Sequence, residues 1–220
     1  MNVNGQSTVN DQADESPGGS GDEDPTPTRL GELLKRRPIL FALGFEGALA
    51  VAALALSLLF GLQPWLAIDF GADAMVLSVL ATAPLIVAML ALMQRRWSWV
   101  QALRRIVEDH LLPLFRDAGP LVVFAVALFA GIGEELLFRG VVQAGVEGLI
   151  GPVAALVVAS LLFGLAHAVS PAYFVITCVM GLYLGWLYQA TGNLLVPIMV
   201  HFLYDWIVLA WYLRRTPDAR

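Results

Sequence analysis

Six stretches of this chain run for roughly twenty residues with few charges, the length a helix needs to cross the hydrocarbon core of a bilayer. They cover about residues 39–62, 74–93, 120–146, 152–169, 172–190 and 194–213. Lipid offers the backbone no hydrogen-bond partner, so a spanning segment must be a helix or a strand of a closed barrel. Barrel strands alternate apolar and polar residues with period two, and no such alternation is present here. The expected fold class is therefore all-α: a polytopic membrane protein with about six transmembrane helices. Composition agrees, since 58% of the 220 residues are hydrophobic, 14% are charged, and the mean hydropathy is +0.72. Soluble domains carry about 25% charged residues, so that class is excluded. The 13 Lys and Arg against 18 Asp and Glu leave a net charge of -5 and no basic surface for a nucleic acid. The single cysteine, Cys178, lies in an apolar run and reads as a buried, inert thiol.

The chain divides into four parts. Residues 1–28 hold Asp11, Asp14, Glu15, Asp22, Glu23 and Asp24 among Gly, Ser and Pro, and read as a disordered acidic tail. Residues 29–118 contain two transmembrane helices and one amphipathic interfacial helix. That helix is expected over 97–116, where Val100, Leu103, Ile106, Val107 and Leu111 recur at helical spacing among Arg104, Arg105, Glu108 and Asp109. Residues 119–213 form a transmembrane core, and 214–220 a basic C-terminal tail. Every Lys and Arg except Arg139 falls on one side of a six-helix path, which predicts both termini in the cytoplasm; the expected location is the plasma (inner) membrane.

Charges inside a span cost roughly 2.5–3.5 kcal/mol each on insertion scales, so those present require a reason. Glu134, Glu135, Arg139, His167, His201 and Asp205 all lie within apolar runs. Glu135 and Arg139 are four apart and suit an ion pair, and His201 and Asp205 share a helix face at the same spacing. At 1.5 Å per residue from the outer loops, Glu134, His167 and Asp205 lie about 20 Å deep and His201 about 14 Å. Three helices thus deliver polar groups to one layer, on the cytoplasmic side of the midplane. A buried carboxylate and imidazoles suit water activation and oxyanion stabilisation. The same set suits zinc ligation, a proton relay, or a polar network that locks helices together.

In order along the chain, these residues read Glu134-Glu135-x-x-x-Arg139, Phe163-x-x-x-His167 and His201-x-x-x-Asp205, each within a membrane helix. This three-part pattern resembles the signature of the CPBP family, the CAAX protease and bacteriocin-processing (type II CAAX endopeptidase, or Abi) intramembrane proteases. The resemblance covers about 119–212 and implies an endopeptidase acting on a peptide or protein substrate at the bilayer. By it, Glu134 and His167 activate the attacking water, while His201 and Asp205 stabilise the oxyanion or complete a metal site. Glu135, Arg139 and Phe163 support them. A zinc metalloprotease built on Glu134, His167, His201 and Asp205 and a metal-free glutamate mechanism are both compatible with the family. Asp205 stands where Asn is the alternative, and an ionised Asp would repel an oxyanion unless it holds a proton or a metal. The HExxH motif of ordinary zincins is absent from the sequence. Two other classes remain: a non-catalytic membrane immunity or scaffold factor of the same fold, and a small proton-coupled carrier.

Other residues invite plainer readings. Glu46, in the first apolar run, is expected to be a structural partner of Arg139. His110 reads as interfacial, Gly181-x-x-x-Gly185 as a close-packing helix face, and Trp211 with Tyr212 as part of an aromatic belt.

Overall fold

The computed structural model describes residues 29–116 and 118–215, with side chains from residue 38 onward. The acidic tail 1–28 and residues 216–220 of the basic C-terminal segment lie outside the described residues. Among the described residues, all regular structure is helical. The main helices are α1 (Arg29–Phe60), α2 (Ala72–Met93), α3 (Ser98–Ile106), α4 (Pro120–Glu135), α5 (Ala144–Ile150), α6 (Pro152–Ala166), α7 (Pro171–Thr191) and α8 (Leu195–Arg215). A π-helical segment, Leu136–Gln143, joins α4 to α5 into one continuous rod.

Among the described residues, five helices are long and apolar enough to cross a membrane: Pro38–Phe60, Ala72–Met93, Pro120–Ile150, Pro171–Thr191 and Leu195–Arg215. The expected sixth, α6, has only 15 residues and stops at Ala166 rather than Val169. The cause is local. Pro171 opens α7, and a residue before proline is pushed into extended backbone, as Ser170 is at φ -151° and ψ 161°. The Ser170 hydroxyl then accepts the Tyr173 backbone N–H at 3.2 Å and caps α7. The turn 167–170 therefore uses residues that hydropathy alone assigns to the helix. The interfacial segment also differs from one long helix. Its regular part, α3, ends at Ile106 and continues through a π turn, Val107–Leu111, and a 3-10 turn, Leu112–Phe115. Its amphipathic face holds nonetheless, with Val100, Leu103, Leu112 and Phe115 buried.

Burial is inverted relative to a water-soluble core. Leu58, Leu59, Leu121, Leu149 and Val153 are exposed, whereas Glu135, Arg139 and Gln143 are fully buried. An apolar exterior around a polar interior is the arrangement lipid selects. At its centre, α4 is flanked by α1 and α8, while α6 pairs with α7 and α2 lies along α8. Two glycines set these distances. A Cβ on Gly131 would come within 2.9 Å of the Ile198 carbonyl on α8, and one on Gly133 within 2.7 Å of the Glu46 carbonyl on α1. Both neighbours are backbone, so no larger residue fits without separating the helices. The start of α8 is anchored by Asn193, whose amide donates to the Asp69 carbonyl at 2.8 Å and accepts the Asp69 N–H at 3.1 Å.

Candidate active site

The close helix crossings at Gly131 and Gly133 bring the α4 residues that follow them against α1 and α8. Glu134 and Glu135 are both buried there, and the π-helical segment begins at the next residue. Such wide turns inside a helix concentrate at functional sites. The two adjacent carboxylates serve different histidines.

Glu134 Oε2 lies 3.4 Å from His167 Nε2. His167 is the first residue past the end of α6, and its backbone N–H turns to the Gly164 carbonyl at 3.1 Å. Its ring takes up the Phe163 carbonyl, with Nδ1 2.8 Å from that oxygen. A carbonyl only accepts, so Nδ1 carries the proton and the Phe163-x-x-x-His167 spacing is the reach of this self-cap. Nε2 then faces Glu134 with its remaining site, and a proton between the two atoms makes that contact attractive. Phe163 itself is buried, its ring 4.6 Å from the His167 ring and 5.9 Å from the His201 ring.

Glu135 Oε1 accepts twice, from Arg139 Nη1 at 2.9 Å and from His201 Nδ1 at 2.8 Å. The second Arg139 nitrogen, Nη2, donates to the Gly181 carbonyl at 2.9 Å, and its guanidinium carbon stands 4.6 Å from the centre of the Phe163 ring. With Nδ1 committed to Glu135, His201 presents Nε2 to Asp205 Oδ2 at 3.4 Å, one turn along α8. Here too a proton between nitrogen and carboxylate is required for attraction, in line with the condition set on Asp205 by its charge. Beside Asp205, Phe124, Phe202 and Trp206 form an aromatic cluster with ring centres 5.0–6.0 Å apart.

All seven residues singled out by the motifs are therefore brought into one constellation: Glu134, Glu135, Arg139, Phe163, His167, His201 and Asp205. The side chains of His167 and Asp205 keep 26% and 32% exposure, so the site opens on their side, while Glu134, Glu135 and His201 form its floor. Two features escaped sequence reading. Gln143 is fully buried and donates to the Gly185 carbonyl at 3.1 Å, continuing the Glu135, Arg139 stripe by another four residues. The stripe itself was the available signal. Gly181 and Gly185 thus do more than pack, since their open carbonyls receive Arg139 and Gln143. The other feature is Glu46. Arg139 bonds to Glu135 and Gly181, and the charge of Glu46 interacts instead with Glu134, His201, Asp205 and His167.

Zinc requires ligand atoms converging on one point. Among the described residues, no three His, Cys, Asp or Glu side chains form such a group. Both Nδ1 atoms are taken and both Nε2 atoms face single carboxylates. As arranged, the side chains form two His–carboxylate pairs and do not fit a zinc site, so no step below runs through a metal.

Comparison with known proteins finds a curated relative and a family model that match part of the chain. The protein named "Uncharacterized protein YpbD" from Bacillus subtilis (strain 168) is 35% identical over 89 residues, which are 39% of this chain. The matched part is 42% of that relative, so the chain spans less than half of its length. No solved structure matches. The family model described as Rce1-like, type II CAAX prenyl endopeptidase Rce1-like, matches residues 117–207. The segment that bears all three motifs is thus the part of the chain that is similar to the Rce1-like family.

Proposed function

We propose that this chain is an intramembrane endopeptidase in which Glu134 and His167 activate water to hydrolyse a peptide bond. The observation that carries the reading is the 3.4 Å approach of Glu134 Oε2 to His167 Nε2, from separate helices, at the open side of a buried polar site. A water held by Glu134 gives its proton to the carboxylate as its oxygen attacks the scissile carbonyl carbon. The proton shared by His201 Nε2 and Asp205 faces the developing oxyanion and stabilises it. Collapse of the adduct breaks the C–N bond, and the proton taken by Glu134 passes to the leaving amine. Glu135 and Arg139 fix the tautomer and orientation of His201. Incubation of the purified chain with membrane-anchored peptides, prenylated CAAX tails among them, followed by product mass spectrometry, tests this. Cleavage by the wild type that is lost in E134Q is the expected result. Absence of cleavage across the panel, together with proton-coupled uptake in sealed vesicles, would replace the enzyme by a carrier.

The basic residues outside the spans further support a site on the cytoplasmic side of the inner membrane, with both termini in the cytoplasm. A six-crossing path then uses α6, about 22 Å long at 1.5 Å per residue, as one short crossing, which sets the 167–170 turn within the bilayer. Reporter fusions after Gly148 and after Arg215 should report opposite compartments. Identical signals would overturn this path.

A further inference from the structure

Glu46 stands on α1, outside the matched residues 117–207, and belongs to none of the three motifs. Its backbone carbonyl touches α4 at Gly133, the residue immediately before Glu134. Its carboxyl interacts electrostatically with Glu134 foremost, then with His201, Asp205 and His167. Its Oε2 is buried without a hydrogen-bond partner, and Glu134 Oε2 is buried with only the long 3.4 Å contact to His167 Nε2. A buried polar atom left unpaired costs about 1–3 kcal/mol, more for a charged group. A residue kept only to lock α1 against α4 would be expected to spend that carboxyl on a donor. Two buried oxygens with unused acceptor capacity, on helices that touch at Glu46 and Gly133, call for a small ligand that donates twice. Water is that ligand, and it is the co-substrate of hydrolysis.

We propose that Glu46 is a further catalytic residue, a second carboxylate that grips the attacking water together with Glu134; this rests on the endopeptidase reading above. One O–H of the water points to Glu134 and the other to Glu46, leaving an oxygen lone pair free to face the scissile carbonyl. As the O–C bond forms, the first proton moves to Glu134. The second stays on the hydroxyl added to carbon, still hydrogen-bonded to Glu46, so Glu46 orients and takes no proton. Orientation of a reacting water acts on turnover more than on substrate binding.

The test uses the full chain in one detergent, comparing wild type, E46Q, E46L, E134Q and E46L/E134Q for cleavage kinetics and melting temperature. E46L should lower kcat by about 10-fold or more while KM stays within about twofold. Its Tm should equal or exceed that of the wild type, because a buried unpaired carboxylate has been replaced by an apolar side chain. E46Q, which keeps one acceptor oxygen, should lie between them in kcat. On the E134Q background, E46L should cost little further, since both groups act on one water. Wild-type kcat in E46L beside an inactive E134Q overturns the role of Glu46 and leaves the endopeptidase standing. An unstable E46L with a fully active E46Q overturns it in favour of a structural residue. An inactive wild type, or an E134Q as active as wild type, overturns the endopeptidase and this role with it.

Discussion

Glu134→Gln is expected to insert and fold as the wild type does, yet to lose peptide cleavage by roughly 10²-fold or more. The amide keeps the shape of the carboxyl and one acceptor oxygen, but it no longer takes a proton from water. The site around it changes little. His167 holds its ring through the Phe163 carbonyl at 2.8 Å, independently of Glu134. His201 is held by Glu135 at 2.8 Å. Combining Glu134→Gln with His167→Ala should therefore cost little beyond the first substitution, because both residues act on the same water and their effects do not add. A purely structural network predicts the opposite pattern: near-normal behaviour for the isosteric Gln and instability for loss of the imidazole. Cleavage rates and melting temperatures of the two single variants and the double, in one detergent, separate these outcomes. Full activity in Glu134→Gln would end the mechanism proposed here.

The largest effect on folding is expected at Arg139. Its side chain is fully buried, and its removal would leave the buried Glu135 without its guanidinium partner, held by His201 alone. Breaking a buried pair from one side typically costs about 3–5 kcal/mol. Arg139→Ala should accordingly accumulate poorly and melt well below wild type. It also withdraws the donor to the Gly181 carbonyl, loosening α4 from α7. Replacing Glu135 and Arg139 together with leucine removes the broken pair and should recover part of the abundance. Activity should not return with it, because Glu135 Oε1 is also the acceptor that holds His201 Nδ1 at 2.8 Å. Membrane abundance, melting temperature and cleavage, measured on Arg139→Ala and on the double variant, check each step. An Arg139→Ala protein that accumulates normally and cleaves normally would remove Arg139 as both lock and positioner.

These two experiments probe pairings that spacing along the chain does not reveal. The i,i+4 relations were readable, since residues four apart on a helix are neighbours whatever surrounds them. Glu135 with Arg139 and His201 with Asp205 follow from that rule, and both contacts are present, at 2.9 Å and 3.4 Å. The assignment of Glu134 to His167 and of Glu135 to His201 was not readable. Adjacent residues on a helix point about 100° apart, and which neighbour each one meets depends on where the other helices lie. The same holds for Glu46. A lone carboxylate in an apolar run suggests a cationic partner, and Arg139 is the nearest candidate by depth, but Arg139 bonds to Glu135 and to α7 while the buried Glu46 Oε2 has no hydrogen-bond partner.

What the sequence determined by itself is the helical, lipid-facing character of the chain, five of the six expected spans among the described residues, and the order of polar motifs along them. The reason is physical: hydrocarbon leaves a backbone no alternative to internal hydrogen bonds, so apolar length translates directly into helix. The sequence also marked Gly181 and Gly185 as a close-packing face, without saying which backbone each one admits; the close approaches at Gly131 and Gly133 came from the structure. Tertiary structure alone decided that α6 ends at Ala166 and that Phe163 offers its carbonyl to His167. It alone decided that Gln143 is buried against Gly185, and that Glu46 meets α4 at Gly133 with a buried, unpaired carboxyl oxygen. Each of these depends on distances between helices, and those are set by close approach at a few residues rather than by any periodicity along one of them.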